Sequence, residues 1–343
     1  MRHIISCVLM LLTALTMSAQ QYFFTVDERH PAVRPLLRGA RNILVVNNTA
    51  VQPADFGHNN AEDGTLIEGS SADLTDAALQ CLFAATQAMD GSGEYEQVEL
   101  MDISQNKSGN FYTRSLMTIA DEEQLCADYE ADALLILNHL VLYDMRESFP
   151  TDEGLYYAYL QACSKAHWTI HHAGGTQDAV FSTADTLLWE TTDLADTRTH
   201  ALIDLPNRQQ ALLYLAQQTG TIVGSSLTPQ WEPATHYLYS HSNEDIQRGM
   251  HAFQRKQWQN AIAAWQSALD SDDKKVRAIA AADMAIAAEM MGDYPSACEY
   301  ARLAMDGFGG WKNSDGRQQQ TNMRFYLEHL QVRQEEEAVL SAF

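Results

Sequence analysis

Positive charge is scarce in this 343-residue chain: 22 Lys and Arg stand against 45 Asp and Glu, a formal net charge of −23. Such a surface repels phosphate backbones and anionic lipids, so nucleic acid is excluded as an expected partner. Cysteine is sparse as well. After Cys7, the remaining Cys81, Cys126, Cys163 and Cys298 are widely spaced, form no CxxC pair and sit in apolar settings. That pattern fits buried thiols better than a disulfide framework, although four cysteines allow three complete pairings. Long hydrophobic runs are missing after the first twenty residues; the longest, Ala133 to Tyr143, is broken by Asn138 and His139. Patterns that carry a chemical mechanism are missing too, with no GxSxG, HExxH, Walker A loop or GxGxxG. Asp55-Phe56-Gly57 matches a kinase tripeptide without any of its companions and is a chance match. The expectation is a protein that is not an enzyme and uses no cofactor.

What is present begins with an address. Arg2 and His3 precede a short apolar stretch from Ile4 to Met17, followed by Ser18-Ala19-Gln20. This reads as a secretory signal peptide over residues 1–19, since the stretch falls short of the roughly 20 residues that span a bilayer. No cysteine stands at the cleavage point, so lipidation is not expected. Removal of residues 1–19 takes away Arg2 and no acid, leaving 21 basic against 45 acidic residues, a net −24. The expected product is exported, to a bacterial periplasm or in association with the outer membrane, with no membrane span in the mature chain.

With 46% hydrophobic and 20% charged residues the remainder has globular composition, and its length suggests about two domains. Arg41 to Asn48 is a β-branched run that reads as a buried strand. Leu74, Ala77, Ala78, Cys81, Leu82, Ala85 and Met89 recur on one helical face. Tyr95–Met101 reads as strand, Ile119–Ala131 as helix and Asp132–Leu137 as a central strand. Leu155–His171 and Ala179–Thr191 read as a meander, and Arg208–Val223 as a closing helix in which Gly220 and Gly224 have a spacing suited to close packing. The order βαβα, ββ, α predicts an α/β (α+β) layered domain with a mixed sheet over residues 20–235.

The last hundred residues repeat themselves. Trp258, Ala261, Trp265 and Ala268 align with Tyr294, Ala297, Ala301 and Ala304, an aromatic followed by a helix with small residues at fixed offsets. Both segments resemble the tetratricopeptide repeat, in which small residues let two helices approach closely. Two repeats need a cap, and a helix from Gln318 onward, with Met323, Tyr326, Leu327 and Leu330 on one face, can supply it. Residues 236–343 are thus expected to form an all-α tetratricopeptide-like domain. The first domain resembles the α/β module of curli-secretion lipoproteins, penicillin-binding-protein activators and the amino-terminal part of the TolB translocation protein. Its likeness rests on Ile43-Leu44-Val45-Val46 ahead of a long helix and on the Asp132 to Leu137 strand after a second helix. Most of the mature chain resembles an uncharacterised family of exported, repeat-bearing envelope proteins, through Thr228-Pro229-Gln230-Trp231, His236-Tyr237-Leu238-Tyr239 and the Trp-rich repeat, motifs that are structural.

The resemblance implies a non-enzymatic scaffold that docks other envelope proteins. Arg248, His251, Phe253 and Arg255 on the first repeat helix are the candidate surface. The alternative is a glycan or small-ligand site in an interdomain cleft, with Trp231, Tyr237, Tyr239 and Trp311 as stacking platforms. His167, His171 and His172 are the best metal candidates. On a strand, however, His167 and His171 lie about 13 Å apart, and no acidic residue adjoins them, so no metal site is expected.

Overall fold

A computed structural model of the chain describes residues 21–67 and 69–341. The expected signal peptide lies outside the described residues. The chain divides into two compact units, one of residues 31–230 and one that joins residues 21–30 to 231–341. An amino-terminal mixed sheet with helices is thus followed by a helical region. No helix among the described residues is long and apolar enough to cross a membrane.

The first unit is built on β2 (Asn42–Asn47) and β6 (Ala133–Pro150), which run parallel, with β5 (Gln97–Met101) parallel on the far side of β2. Alternate residues of β2 enter different cores. Ile43 and Val45 face α1 (Ala77–Asp90) and α4 (Arg208–Ser226), whereas Leu44 and Val46 pack with Cys126 of α2 (Ile119–Tyr129). Burial on both faces explains why these strands read as unbroken apolar runs. β6 continues thirteen residues past Leu137, beyond the expected strand end. A register shift between Leu137 and His139 absorbs the polar interruption, and Asn138 satisfies its amide on Thr169 and Asn48. The longer strand pairs with β3 (His58–Glu62), which in turn pairs with β4 (Thr65–Ile67); β3 is short and polar and β4 only three residues long, so neither stands out in sequence. β7 (Tyr156–His172) and β8 (Ala179–Glu190) complete the antiparallel meander, and the short α3 (Arg198–Ile203) precedes α4.

Helices α1 and α4 meet through small residues. Gly220 and Gly224 of α4 lie against the backbone of Cys81 and Ala85 in α1, where an added Cβ at Gly224 would stand 2.5 Å from the Ala85 carbonyl oxygen. The ends of the unit also meet, since the Arg34 N–H donates to the Ser226 carbonyl at 2.8 Å.

The second unit departs from the expected division. Residues 21–30, assigned by sequence to the α/β domain, form β1 (Gln21–His30) and pair with β9 (Gln230–Tyr239) in the helical unit. The reason is local: Phe24 of β1 packs edge-on against Phe253 at 5.1 Å, so the strand's apolar side belongs to the helical core. Five helices follow, α5 (Glu244–Gln254), α6 (Trp258–Leu269), α7 (Lys274–Glu289), α8 (Tyr294–Gly309) and α9 (Ser314–Leu340). Ala261, Trp265, Ala268, Ala297, Ala301 and Ala304 are buried between them, Tyr294 nearly so, and Trp258 is half-buried. Gly249 lets α5 approach the Trp265 ring, whose Nε1–H donates to the Ile246 carbonyl at 3.2 Å. Met323 and Leu330 of α9 are buried, and Leu330 packs with Ala297 and Ala301.

Candidate functional site

Three arrangements of polar side chains could serve a function. The first is an open groove of about 800 Å³ on α5 and α6. Asn243 caps α5 by accepting from the Asp245 and Ile246 N–H groups, which sets the phase of the helix. Ile246, Gly249 and Phe253 then turn inward. Glu244, Arg248, His251 and Arg255 fall on the other side and line the groove, facing Asn260 and Ala264 of α6. Arg248 is 61% exposed and pairs with Asp245 at 2.5 Å. Three of the four residues expected on a docking surface therefore share one groove. Phe253 does not, being 3% exposed and stacked at 4.6 Å on Trp258.

Of the four aromatics proposed as sugar platforms, three pack into one run of rings, Tyr237, Tyr239 and, through Phe308, Trp311. Tyr239 is buried, its hydroxyl donating to Gln319 at 2.6 Å and its N–H to buried Asp283 at 2.8 Å. Tyr237 packs on Tyr239, and Trp311 packs on Phe308 beneath the Lys275 ammonium. Trp231 alone is widely exposed. It borders a second cavity, of about 400 Å³, together with Glu28, Glu289, Tyr294 and Arg333.

That cavity adjoins a network that draws on four elements, β1, β9, α7 and α9. Glu28 accepts from His236 at 2.9 Å and from His329 at 3.3 Å, and Arg333 approaches its other oxygen at 3.5 Å. Glu289 accepts from the Tyr326 hydroxyl at 2.5 Å and lies 3.5 Å from His329. Burial opposes ionisation of Glu28, but the histidine hydrogen bonds outweigh it and hold its carboxyl well below the usual range. The same bonds from Glu28 and Glu289 raise His329 to about 9. Two His and two Glu here could approach a metal ion, yet Arg333 and protonated His329 already balance the carboxylates.

The third arrangement lies in the first unit, at the start of α2. Thr118 caps the helix and places Glu122 and Glu123 in its first two turns, beside the end of β7. His171 is fully buried there. Its Nδ1 lies 2.9 Å from Asp178 and 3.5 Å from Glu122, and its Nε2 lies 2.9 Å from Glu123. Burial, followed by the nearby Asp178 charge, pushes Glu122 up to about 7. His171 is raised, because the bonds to Asp178 and Glu123 together overcome the cost of burial. In the sequence His171 stands on a strand with no adjoining acidic residue, and no metal site was expected there. Folding instead brings it three carboxylates, from positions about 50 residues earlier and 7 later. His167 and His172 take no part: His167 bonds Ser182 and His172 donates to the Leu36 carbonyl.

A family described as a domain of unknown function (DUF8603) matches residues 40–239, more than half of the sequence. The chain belongs to that family. A second domain of unknown function (DUF6340) matches residues 247–332. No curated protein matches the chain. The DUF8603 span holds Glu122, Glu123, His171 and Asp178 together, whereas the α5 groove lies mainly in the DUF6340 span, which begins at Gln247.

Proposed function

We propose that the protein is a non-enzymatic, exported docking module of the bacterial envelope that receives an acidic segment of a partner protein in the groove on α5 and α6. The observation that carries this reading is the convergence of Arg248, His251 and Arg255 on one open groove in a chain whose net charge is −23. Charges beyond a Debye length of about 8–10 Å are screened, so Arg255 and the exposed Arg248, which pairs with Asp245, act on a docked segment despite the overall charge, with Glu244 the one acid lining the groove. The small-residue helix pairs α5–α6 and α7–α8 support its assignment as a tetratricopeptide-like surface, a type that holds extended or helical segments of partners. The resemblance of the chain to repeat-bearing envelope proteins supports the location. Binding of fluorescent peptides of graded acidity would test it, using the intact chain and its Arg248→Glu, Arg255→Glu double variant. Preference for acidic peptides, lost in the double variant while far-UV dichroism is kept, is the expected result. Equal binding by both proteins would refute the groove as the docking site.

A second reading, a glycan or small-ligand site, is favoured by Trp231, 63% exposed at the edge of the 400 Å³ cavity beside Glu28 and Arg333. Cell-wall fragments and polysaccharides should then raise the melting temperature of the wild type and not of Trp231→Ala. Absence of any shift would discard it.

A further inference from the structure

The His171 cluster is short of positive charge. Glu122, Glu123 and Asp178 place three carboxylates around a single imidazole, and among the described residues none of the three is paired with Lys or Arg. The Glu28 network contrasts with it, because there Arg333 and Tyr326 complete the set. Of the three, Glu122 is buried, and a buried carboxylate without compensation is costly unless it is protonated or coordinates a cation.

Two further observations point to a cation. The Oε2 atom of Glu122 is buried and lacks a hydrogen-bond partner, although it faces His171 Nδ1 at 3.5 Å. Its side chain is only 2% exposed. The other nitrogen of His171 is held by Glu123, whose Oε1 is itself fixed by the Gly174 N–H at 2.8 Å. With its Nε2–H donated to Glu123, His171 turns Nδ1 toward Asp178 at 2.9 Å and Glu122 at 3.5 Å, and an ion entering there would displace the Nδ1 proton that Asp178 accepts. The bond to Glu123 is the relation between a metal-ligating histidine and its orienting carboxylate. One atom from each of Glu122, His171 and Asp178 lies within 4.8 Å of the others, close enough to surround one ion.

We propose that Glu122, His171 and Asp178 bind a divalent first-row transition-metal ion of the zinc type, with Glu123 as the positioning residue for His171. Nitrogen and carboxylate donors suit such an ion. Asp178, 22% exposed, stands at the surface side of the cluster and gives the ion a way in. Three protein ligands leave room for water in the remaining position. The ion would clamp the first turns of α2 to the end of β7 and the loop that follows.

The test is isothermal titration of the chelator-treated full chain with zinc, paired with the absorption spectrum of the cobalt-substituted protein. One equivalent of metal should bind, with visible cobalt bands of low coordination number. Asp178→Asn, at the surface, and Glu122→Gln should each weaken binding at least tenfold. Glu123→Gln should weaken it about 10- to 100-fold while the stoichiometry stays at one. Glu289→Gln, in the other cluster, should leave it unchanged. Absence of stoichiometric binding by the wild type would overturn the proposal. So would binding that survives Asp178→Asn and Glu122→Gln, or binding abolished by Glu289→Gln. Dichroism spectra identify any misfolded variant, and Asp178→Asn then carries the comparison.

Discussion

Gly220→Ala pits helix propensity against packing, and the structure decides between them. In an isolated helix Ala is favoured over Gly by about 1 kcal/mol. Here the new Cβ would fall well inside contact distance of the Cys81 carbonyl oxygen, 2.7 Å from its carbon and 3.1 Å from the Ala85 nitrogen. Ordinary contacts begin near 3.4 Å, and the obstructing atoms are helix backbone that no rotamer change can move aside. Helices α1 and α4 must therefore separate by more than an ångström, and a gap of only about 0.5–1 Å already forfeits a quarter to a half of each lost contact. Overpacking costs about 1–3 kcal/mol. With the upper end of that range set against the propensity gain, the net loss is about 2 kcal/mol, or about a 30-fold rise in opening. Hydrogen exchange over residues 77–90 reads this locally, without assuming that the two units unfold together. Ile222→Ala, at a position 47% exposed on the same helix, is the control and should stay within about 0.5 kcal/mol. Protection in Gly220→Ala equal to or above wild type would refute the close-contact argument.

Other outcomes are expected. Trp265→Ala should cost about 3–5 kcal/mol, since it empties a fully buried site against Gly249 and removes the bond to Ile246; urea unfolding of the helical unit checks it. The Glu28 network should make stability depend on pH. A histidine whose folded value rises from 6.5 to about 9 contributes fully below 6.5 and loses its contribution as pH climbs through 9. Glu28, lowered, contributes above 4.5 and loses it as pH falls. With His329 35% exposed, the screened contribution is about 1–2 kcal/mol. The gap in melting temperature between wild type and His329→Gln should thus be widest near pH 5–6 and close by pH 9.5; a constant gap would contradict it. Alkylation of the native protein followed by mass spectrometry should modify half-buried Cys163 first. Cys81, Cys126 and Cys298 are buried free thiols, and burial raises Cys81 far above its usual range.

Elements whose burial is written in their own residues were legible. Strand β2 and the start of β6 announce themselves as apolar runs, α1 and α4 by helical period, and α6 and α8 by repeated small residues. β1 is not legible, because its alternation becomes apolar only when Phe24 meets Phe253 of a helix more than 200 residues away. β3 escapes notice because His58-Asn59-Asn60 looks like a loop until β6 extends far enough to pair with it. The groove was partly visible, through Arg248, His251 and Arg255 at helical spacing. Phe253 was misplaced because its turn of the helix faces inward. The two histidine–carboxylate clusters had no local signal. Glu28 and His236 are 208 positions apart, and His171 and Glu123 are 48 apart.

The Arg34–Ser226 bond bears on the order in which the molecule can assemble. β1 leaves a ribosome early and has no partner until β9 follows it, so the strand must wait through some two hundred residues. If residues 31–230 fold in the meantime, that bond brings the two departure points of the chain together. The loop that β1 and β9 must close then shrinks from roughly 200 residues to roughly 10, which lowers the closure cost by about 2–3 kcal/mol. The first unit thereby acts as a splint for the second, which is assembled from two ends of the sequence.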